Sequence, residues 1–201
     1  MKKKEFILDH YQIDDFFKPI RSKRDVIILL MKSIKLMLIG DITPIKEPSG
    51  HMYLIVSKMS RLFYVKKDKY FTIGFPFKVI NNENRLEFYS SFNELKIDNQ
   101  ITSNVLALFP NKIFDLEIFF EDLYCQSESL RVLITSLITY EDGYIRYDCD
   151  PERKNGRLHP LNHYDLFYSS NTTFKLGLNK SLDIEKMIDC LSIETECHFI
   201  E

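Results

Sequence analysis

The sequence predicts an α+β fold: a mainly antiparallel sheet flanked by N-terminal helices and a C-terminal helix. Apolar residues at helical spacing concentrate at the two ends of the chain. Between them, over residues 50–180, short β-branched and aromatic runs alternate with Gly, Pro, Asn and Asp. Of the 201 residues, 45% are hydrophobic and 28% charged, which excludes disorder, a collagen-like chain and a disulfide scaffold. The chain reads as a single domain, with a helical part at 1–40, a sheet-rich core at 50–180 and a C-terminal helix and tail at 181–201.

Residues 4–17 carry Phe6, Ile7, Tyr11, Ile13, Phe16 and Phe17 in a near-helical stripe that Pro19 stops. Ser22 is the expected N-cap of a second helix, with Asp25 in its acidic first turn and Gly40 as the residue after its end. Lys32 and Lys35 interrupt the apolar run 26–40, so it reads as a core helix and no membrane association is expected. Runs at 51–56, 61–65, 70–75, 77–80 and 85–89 are strands, the last two joined by a turn at 81–84. A short helix is expected at 101–109, ended by Pro110, whereas 114–124 fits helix or strand. Residues 130–140 read as a long strand, turned by Asp142-Gly143 into a returning strand at 144–149. Strands follow at 159–169 and 172–178. A helix over 183–194, capped by Ser181 or Asp183, carries Ile184, Met187, Ile188 and Leu191.

Several function classes drop out. Lys plus Arg number 27 against 29 acids, so charge alone supplies no non-specific grip on nucleic acid. The apolar run after Met1-Lys2-Lys3-Lys4-Glu5 is too short for a secretory signal. Cys125, Cys149, Cys190 and Cys197 form no C-x-x-C pair, so reduced thiols and a cytoplasmic location are expected. Neither a glycine-rich phosphate loop nor a G-x-S-x-G motif is present. Charge is uneven, however. The first 37 residues hold nine Lys/Arg against five acids, and the last 19 hold one Lys against six acids, a pattern that suits either an acidic partner at one end or solvated helix faces.

One constellation carries chemistry. An Asp142-Gly143 hairpin places Tyr140 opposite Ile145 and Ile138 opposite Tyr147, and sends Tyr144, Arg146 and Asp148 to the other face beside Thr139 and Leu137. His163 and Asp165 share one parity on the following strand, and Lys175 stands on the next. If these strands are neighbours, one face gathers Arg146, Asp148, His163, Asp165 and Lys175, with His159 at its margin beside Pro160. Histidine can shuttle protons near neutral pH, Arg and Lys stabilise charge on phosphoryl oxygens, and a carboxylate orients an imidazole. Metal binding by His159, His163 and Asp165 is the alternative. On a strand, residues i and i+4 lie about 13 Å apart, so it requires a turn at Pro160. The metal-free scheme is preferred, and neither metal nor cofactor is expected. A merely solvated polar face is the competing structural account. His51, after Ser49-Gly50, reads as a strand-edge residue rather than a ligand, His10 and His198 have no evident carboxylate partner, and Glu117, Glu121 and Asp122 lack the Glu-x-Lys of nuclease strands.

The run Tyr144-Ile145-Arg146-Tyr147-Asp148, followed by His159-Pro160-Leu161-Asn162-His163-Tyr164-Asp165, resembles small uncharacterised bacterial proteins linked to phage defence and toxin–antitoxin loci. The resemblance covers roughly residues 130–180. It implies cleavage of RNA or DNA, carried here onto Arg146, Asp148, His159, His163 and Asp165, and a protein partner from such a system. The expected roles are His163 as general acid/base, Arg146 and Lys175 as phosphate stabilisers, and Asp165 or Asp148 as orienter. His159, Tyr144 and Arg157 are the substrate-binding candidates. The rival expectation is a non-catalytic accessory subunit that docks a larger defence protein; a small-ligand sensor is a third.

Overall fold

The computed structural model describes residues 2–40, 47–82, 85–109, 116–169, 171 and 173–197. In chain order its elements begin β1 (Lys2–Leu8), α1 (His10–Phe16), α2 (Lys23–Ile39), β2 (Gly50–Val56), β3 (Arg61–Lys66) and β4 (Lys69–Gly74). Then come β5 (Phe77–Asn82), β6 (Arg85–Ser90), α3 (Asn99–Ala107), α4 (Leu116–Tyr124) and α5 (Glu128–Thr139). The chain closes with β7 (Ile145–Cys149), β8 (Asn162–Leu166), β9 (Phe174–Leu178) and α6 (Ile184–Cys190). The fold is α+β. The expected Pro110, Phe114, Thr172 and His198 positions and the 83–84 turn tip lie outside the described residues.

The chain forms two compact units. The first comprises Met1–Pro19, Ile45–Gly74 and Gly143–Glu201; the second comprises Ile20–Pro44 and Phe75–Asp142. The first unit is a seven-stranded antiparallel sheet in the order β1-β2-β3-β4-β7-β8-β9. On one face, Met52, Leu54, Leu62, Tyr64, Phe71 and Ile73 are buried, with Ile13 and Phe16 of α1 among the core residues. The Phe16 ring meets Tyr64 edge-on, and Tyr64 stacks on Phe71 with centroids 4.5 Å apart. The other face presents Ile55, Phe63 and Tyr147 to Met187 and Ile188 of α6.

The single helix expected at 4–17 is instead β1 followed by the seven-residue α1. Alternation decides it: Phe6 and Leu8 are buried while Ile7 between them is exposed, and β1 pairs from Lys2↔Val56 to Leu8↔Gly50. Asp9 then starts a helix by a capping box, accepting from Gln12 N at 2.8 Å while Gln12 Oε1 accepts from Asp9 N at 2.9 Å. The 1–40 part is therefore not wholly helical.

In the second unit α2 starts at the expected N-cap, Ser22, where Asp25 closes a capping box, and it buries Val26, Ile27, Leu30, Met31, Ile34 and Met37. β5 and β6 form a hairpin. The 50–180 stretch also holds α3, α4 and α5, more helix than expected. The long strand expected at 130–140 is α5, which buries Leu130, Leu133, Ile134 and Leu137 at i, i+3, i+4 and i+7 and is capped by Ser127. The Asp142-Gly143 hairpin falls with it, as do its Tyr140–Ile145 and Ile138–Tyr147 pairs and the Thr139 and Leu137 neighbours. The inner partner of β7 is β4, through Tyr70↔Tyr147 and Phe71↔Arg146. Gly143 does adopt φ +53°, and its carbonyl accepts a hydrogen bond from Arg61 Nη2. Among the described residues no helix is long and apolar enough to cross a membrane. The four cysteines are free thiols.

Candidate functional site

Three strands bring one set of polar side chains onto a single sheet face. Across β7, β8 and β9 the register opposes Arg146 to Asp165 and Asp165 to Lys175; it opposes Asp148 to His163 and His163 to Gly177. On the inner side Lys69 of β4 opposes Asp148. Opposed residues on neighbouring strands share a face, so the parity read from sequence survives although the hairpin that suggested it does not.

The contacts are dense. Arg146 donates Nε–H to Asp148 Oδ2 at 2.7 Å and Nη2–H to Asp165 Oδ2. Lys69 Nζ stands 3.5 Å from Asp148 Oδ1, and Lys175 Nζ stands 4.0 Å from Asp165 Oδ1. Lys175 Nζ is also 3.1 Å from His159 Nδ1, while His159 Nε2 lies 3.5 Å from Asp150 Oδ2. Three cations (Arg146, Lys69, Lys175) thus enclose two carboxylates, Asp148 and Asp165.

The floor of the site is buried. His163 is 1% exposed and Asp165 5%. His163 Nδ1 lies 2.9 Å from the Pro160 carbonyl oxygen, which can only accept. A proton therefore sits on Nδ1, which leaves Nε2 as the nitrogen that can offer a lone pair. Asp165 Oδ1 is buried and accepts no hydrogen bond among the described residues.

Local sequence explains how the two histidines meet. Asn155 N donates to His159 O at 2.8 Å, closing a turn that Pro160 carries into β8. The rings of His159 and His163 consequently pack edge-on with centroids 4.7 Å apart, far closer than i and i+4 on a strand. Gly177 makes room for this turn: a Cβ there would lie 2.9 Å from Pro160 Cγ.

Burial and charge shape the ionisable groups around the rim. Burial works against the Arg146 charge, but Tyr144, Asp148 and Asp165 outweigh it and raise its pKa. Burial also raises the Tyr144 phenol, with Arg146 pulling it partly back through charge and a hydrogen bond. Lys69 is lowered by burial, a shift that Asp148 offsets in part. Asp150 is lowered: burial opposes its charge, but the Arg153 backbone and the Arg153 and His159 charges prevail.

Of the residues singled out on sequence, Arg146, Asp148, His163, Asp165, Lys175 and His159 converge. Tyr144 is buried beside them, edge-on to Tyr168 and hydrogen-bonded to Arg146. Arg157 stands exposed on the 155–159 turn. Sequence reasoning missed Lys69 and Asp150. Lys69 becomes visible only once β4 is known to pair with β7, whereas Asp150 directly follows Cys149, the last residue of β7, and its place beside His159 depends on the turn at 155–159. For a metal, Asp148, His163 and Asp165 each offer a ligand atom, all within 4.8 Å of one another. No protein-family model, curated protein or solved structure matches the chain.

Proposed function

We propose that this cluster binds a phosphodiester of RNA or DNA and cleaves it. The observation that carries the reading is the holding of Arg146 and Lys175 around one buried carboxylate, Asp165, with an imidazole hydrogen-bonded to Lys175. A guanidinium has five N–H donors. Asp148 and Asp165 take two of those on Arg146, and the remaining donors can meet phosphoryl oxygens. Charge that grows on phosphorus during displacement meets cations already fixed in place, so little reorganisation opposes the reaction.

Proton transfer, assigned on sequence to His163, suits His159 better. The His159 side chain is 20% exposed, whereas His163 is buried and spends one nitrogen on Pro160. Lys175 Nζ donates to His159 Nδ1 and must turn to the phosphate before that nitrogen can act as a base. In RNA the neighbouring 2′-hydroxyl then attacks phosphorus, His159 Nδ1 accepts its proton, the P–O5′ bond breaks and the departing 5′-oxygen takes a proton from water. In DNA, water attacks phosphorus and gives its proton to His159, the P–O3′ bond breaks and the 3′-oxygen is protonated by water. Incubation of the purified chain with end-labelled RNA and DNA, with chelator or with added divalent ion, tests the reading. Cleavage is expected to fall about 10²–10³-fold in folded His159→Gln and Arg146→Met proteins. No cleavage under any condition, or cleavage indifferent to both substitutions, overturns it.

The second reading, an accessory subunit without catalysis, draws on a different surface. On α4 and α5, Phe120, Tyr124 and Val132 are exposed beside a cavity of about 400 Å³ that Leu123 and Thr135 help line. A chain that cleaves nothing and loses a co-purifying protein on Phe120→Asp would favour this account.

A further inference from the structure

We propose that Asp148, His163 and Asp165 form a binding site for a divalent transition-metal ion, its ligands being one oxygen from each carboxylate and Nε2 of the imidazole. The reading of the cluster as a nuclease is not needed for it. Three independent features converge on those atoms.

The first is the histidine. A ligating imidazole commonly donates its second N–H to a carbonyl or carboxylate, which fixes the tautomer and aims the other nitrogen. The Pro160 carbonyl does this for His163, and the ring is buried, so Nε2 has little freedom to point elsewhere. The second is the division of labour within each carboxylate. Arg146 occupies Oδ2 of Asp148 and Oδ2 of Asp165, which steadies both groups and turns Oδ1 of each toward a lysine, Lys69 at 3.5 Å and Lys175 at 4.0 Å, that an ion would displace. Asp165 Oδ1 is buried without a hydrogen bond, a costly condition for a carboxylate oxygen and one that a cation relieves.

The third is spacing. Asp148 and His163 are directly opposed across β7 and β8, and Asp165 stands two residues along β8 from His163 on the same face. Their ligand atoms lie within 4.8 Å of one another. Neighbouring ligands on an ion with bonds of ~2.1 Å are ~3 Å apart, so side-chain rotations of an ångström or two complete the set. All three donors rise from one face of the sheet, so they occupy one side of the ion. A mixed oxygen and nitrogen set of this kind suits Mn²⁺, Fe²⁺ or Zn²⁺ better than Ca²⁺.

The surrounding charges set the expected behaviour. The ion neutralises the two carboxylates, so Arg146, Lys69 and Lys175 are left with three positive charges around it. An anionic ligand such as inorganic phosphate, bound beside these cations, balances them. Mn²⁺ binding is therefore expected to tighten when phosphate is present.

The test is a titration of the full chain with Mn²⁺ alone, reading free ion by electron paramagnetic resonance. One saturable site is expected, weakened at least about tenfold in Asp165→Asn and Asp148→Asn, and unchanged in Glu152→Gln, which alters an exposed carboxylate outside the site. Asp148 is the less buried of the two and serves as the informative variant should Asp165→Asn fail to fold. No saturable binding at millimolar Mn²⁺, or equal binding by folded Asp148→Asn, overturns the proposal. No substrate enters the titration, so its outcome is separate from whether the chain cleaves nucleic acid.

Discussion

Gly177 lies opposite His163, and its missing side chain is what lets the Pro160 ring rest on β9. A methyl group there meets Pro160 Cγ at 2.9 Å, so Gly177→Ala forces the turn outward. The expected cost is about 1–3 kcal/mol, the range for overpacking, read from urea unfolding. The strain falls on the one carbonyl that fixes the His163 tautomer, so the imidazole proton resonances of His163 should move too; a variant with unchanged stability and spectra contradicts this account. At this scale much of the site was legible in the sequence. Side-chain parity along a strand is 2, so Arg146 with Asp148, and His163 with Asp165, could be sorted by counting. Lys69 could not, because its place depends on a strand pairing across more than seventy positions of chain.

Elements were legible where local capping and periodicity agreed and misread where β-branched residues obscured the period. In α2 the Ser22 cap, the apolar stripe and Gly40 all point to one helix. In α5, Val132, Ile134, Thr135, Ile138 and Thr139 resemble a strand, although Leu130, Leu133, Ile134 and Leu137 keep the helical interval. β1 was hidden for the opposite reason: Lys2, Lys3 and Lys4 suggest solvent, yet Phe6 and Leu8 alternate into the core. The junction between β1, α1 and β2 makes a prediction of its own. Gly50 pairs with Leu8, and a Cβ on it would lie 2.3 Å from Ile13 Cδ1 and 2.5 Å from the Val65 carbonyl oxygen. Ile13 can shift, but backbone cannot without bending β3. Gly50→Ala is expected to destabilise the chain by about 3 kcal/mol or more, seen as a lowered urea midpoint. A midpoint within error of the parent would show that this corner is looser than its packing implies.

For the whole chain, tyrosine chemistry sets the alkaline limit. Tyr53 is pushed up to about 12, first by burial and then by the charge and hydrogen bond of Glu5. Burial likewise raises Tyr70, Tyr144, Tyr147 and Tyr164. Unfolded phenols ionise near pH 10. Above that point the folded state binds more protons than the unfolded one, so stability falls as pH rises. Their contribution is complete below pH 10 and is lost on passing upward through the folded values. Urea midpoints from about pH 9 to about pH 11 should drop progressively, while phenolate absorbance shows a late-titrating class that shrinks in Tyr53→Phe. A flat stability profile over that interval, or a single early titration, would rule this out.

The strand order carries a last consequence for how the molecule is made. β4 ends at Gly74, but β7, which pairs with its outer side, does not begin until Ile145. A ribosome extruding the chain from its N-terminus therefore releases four strands of the sheet with a naked border, bearing Phe71 and Ile73, well before the partner emerges. Contacts so distant along the chain close slowly, and an unpaired border invites pairing with other nascent chains in the meantime. Expression at low temperature, or with a holdase present, should accordingly raise the soluble yield.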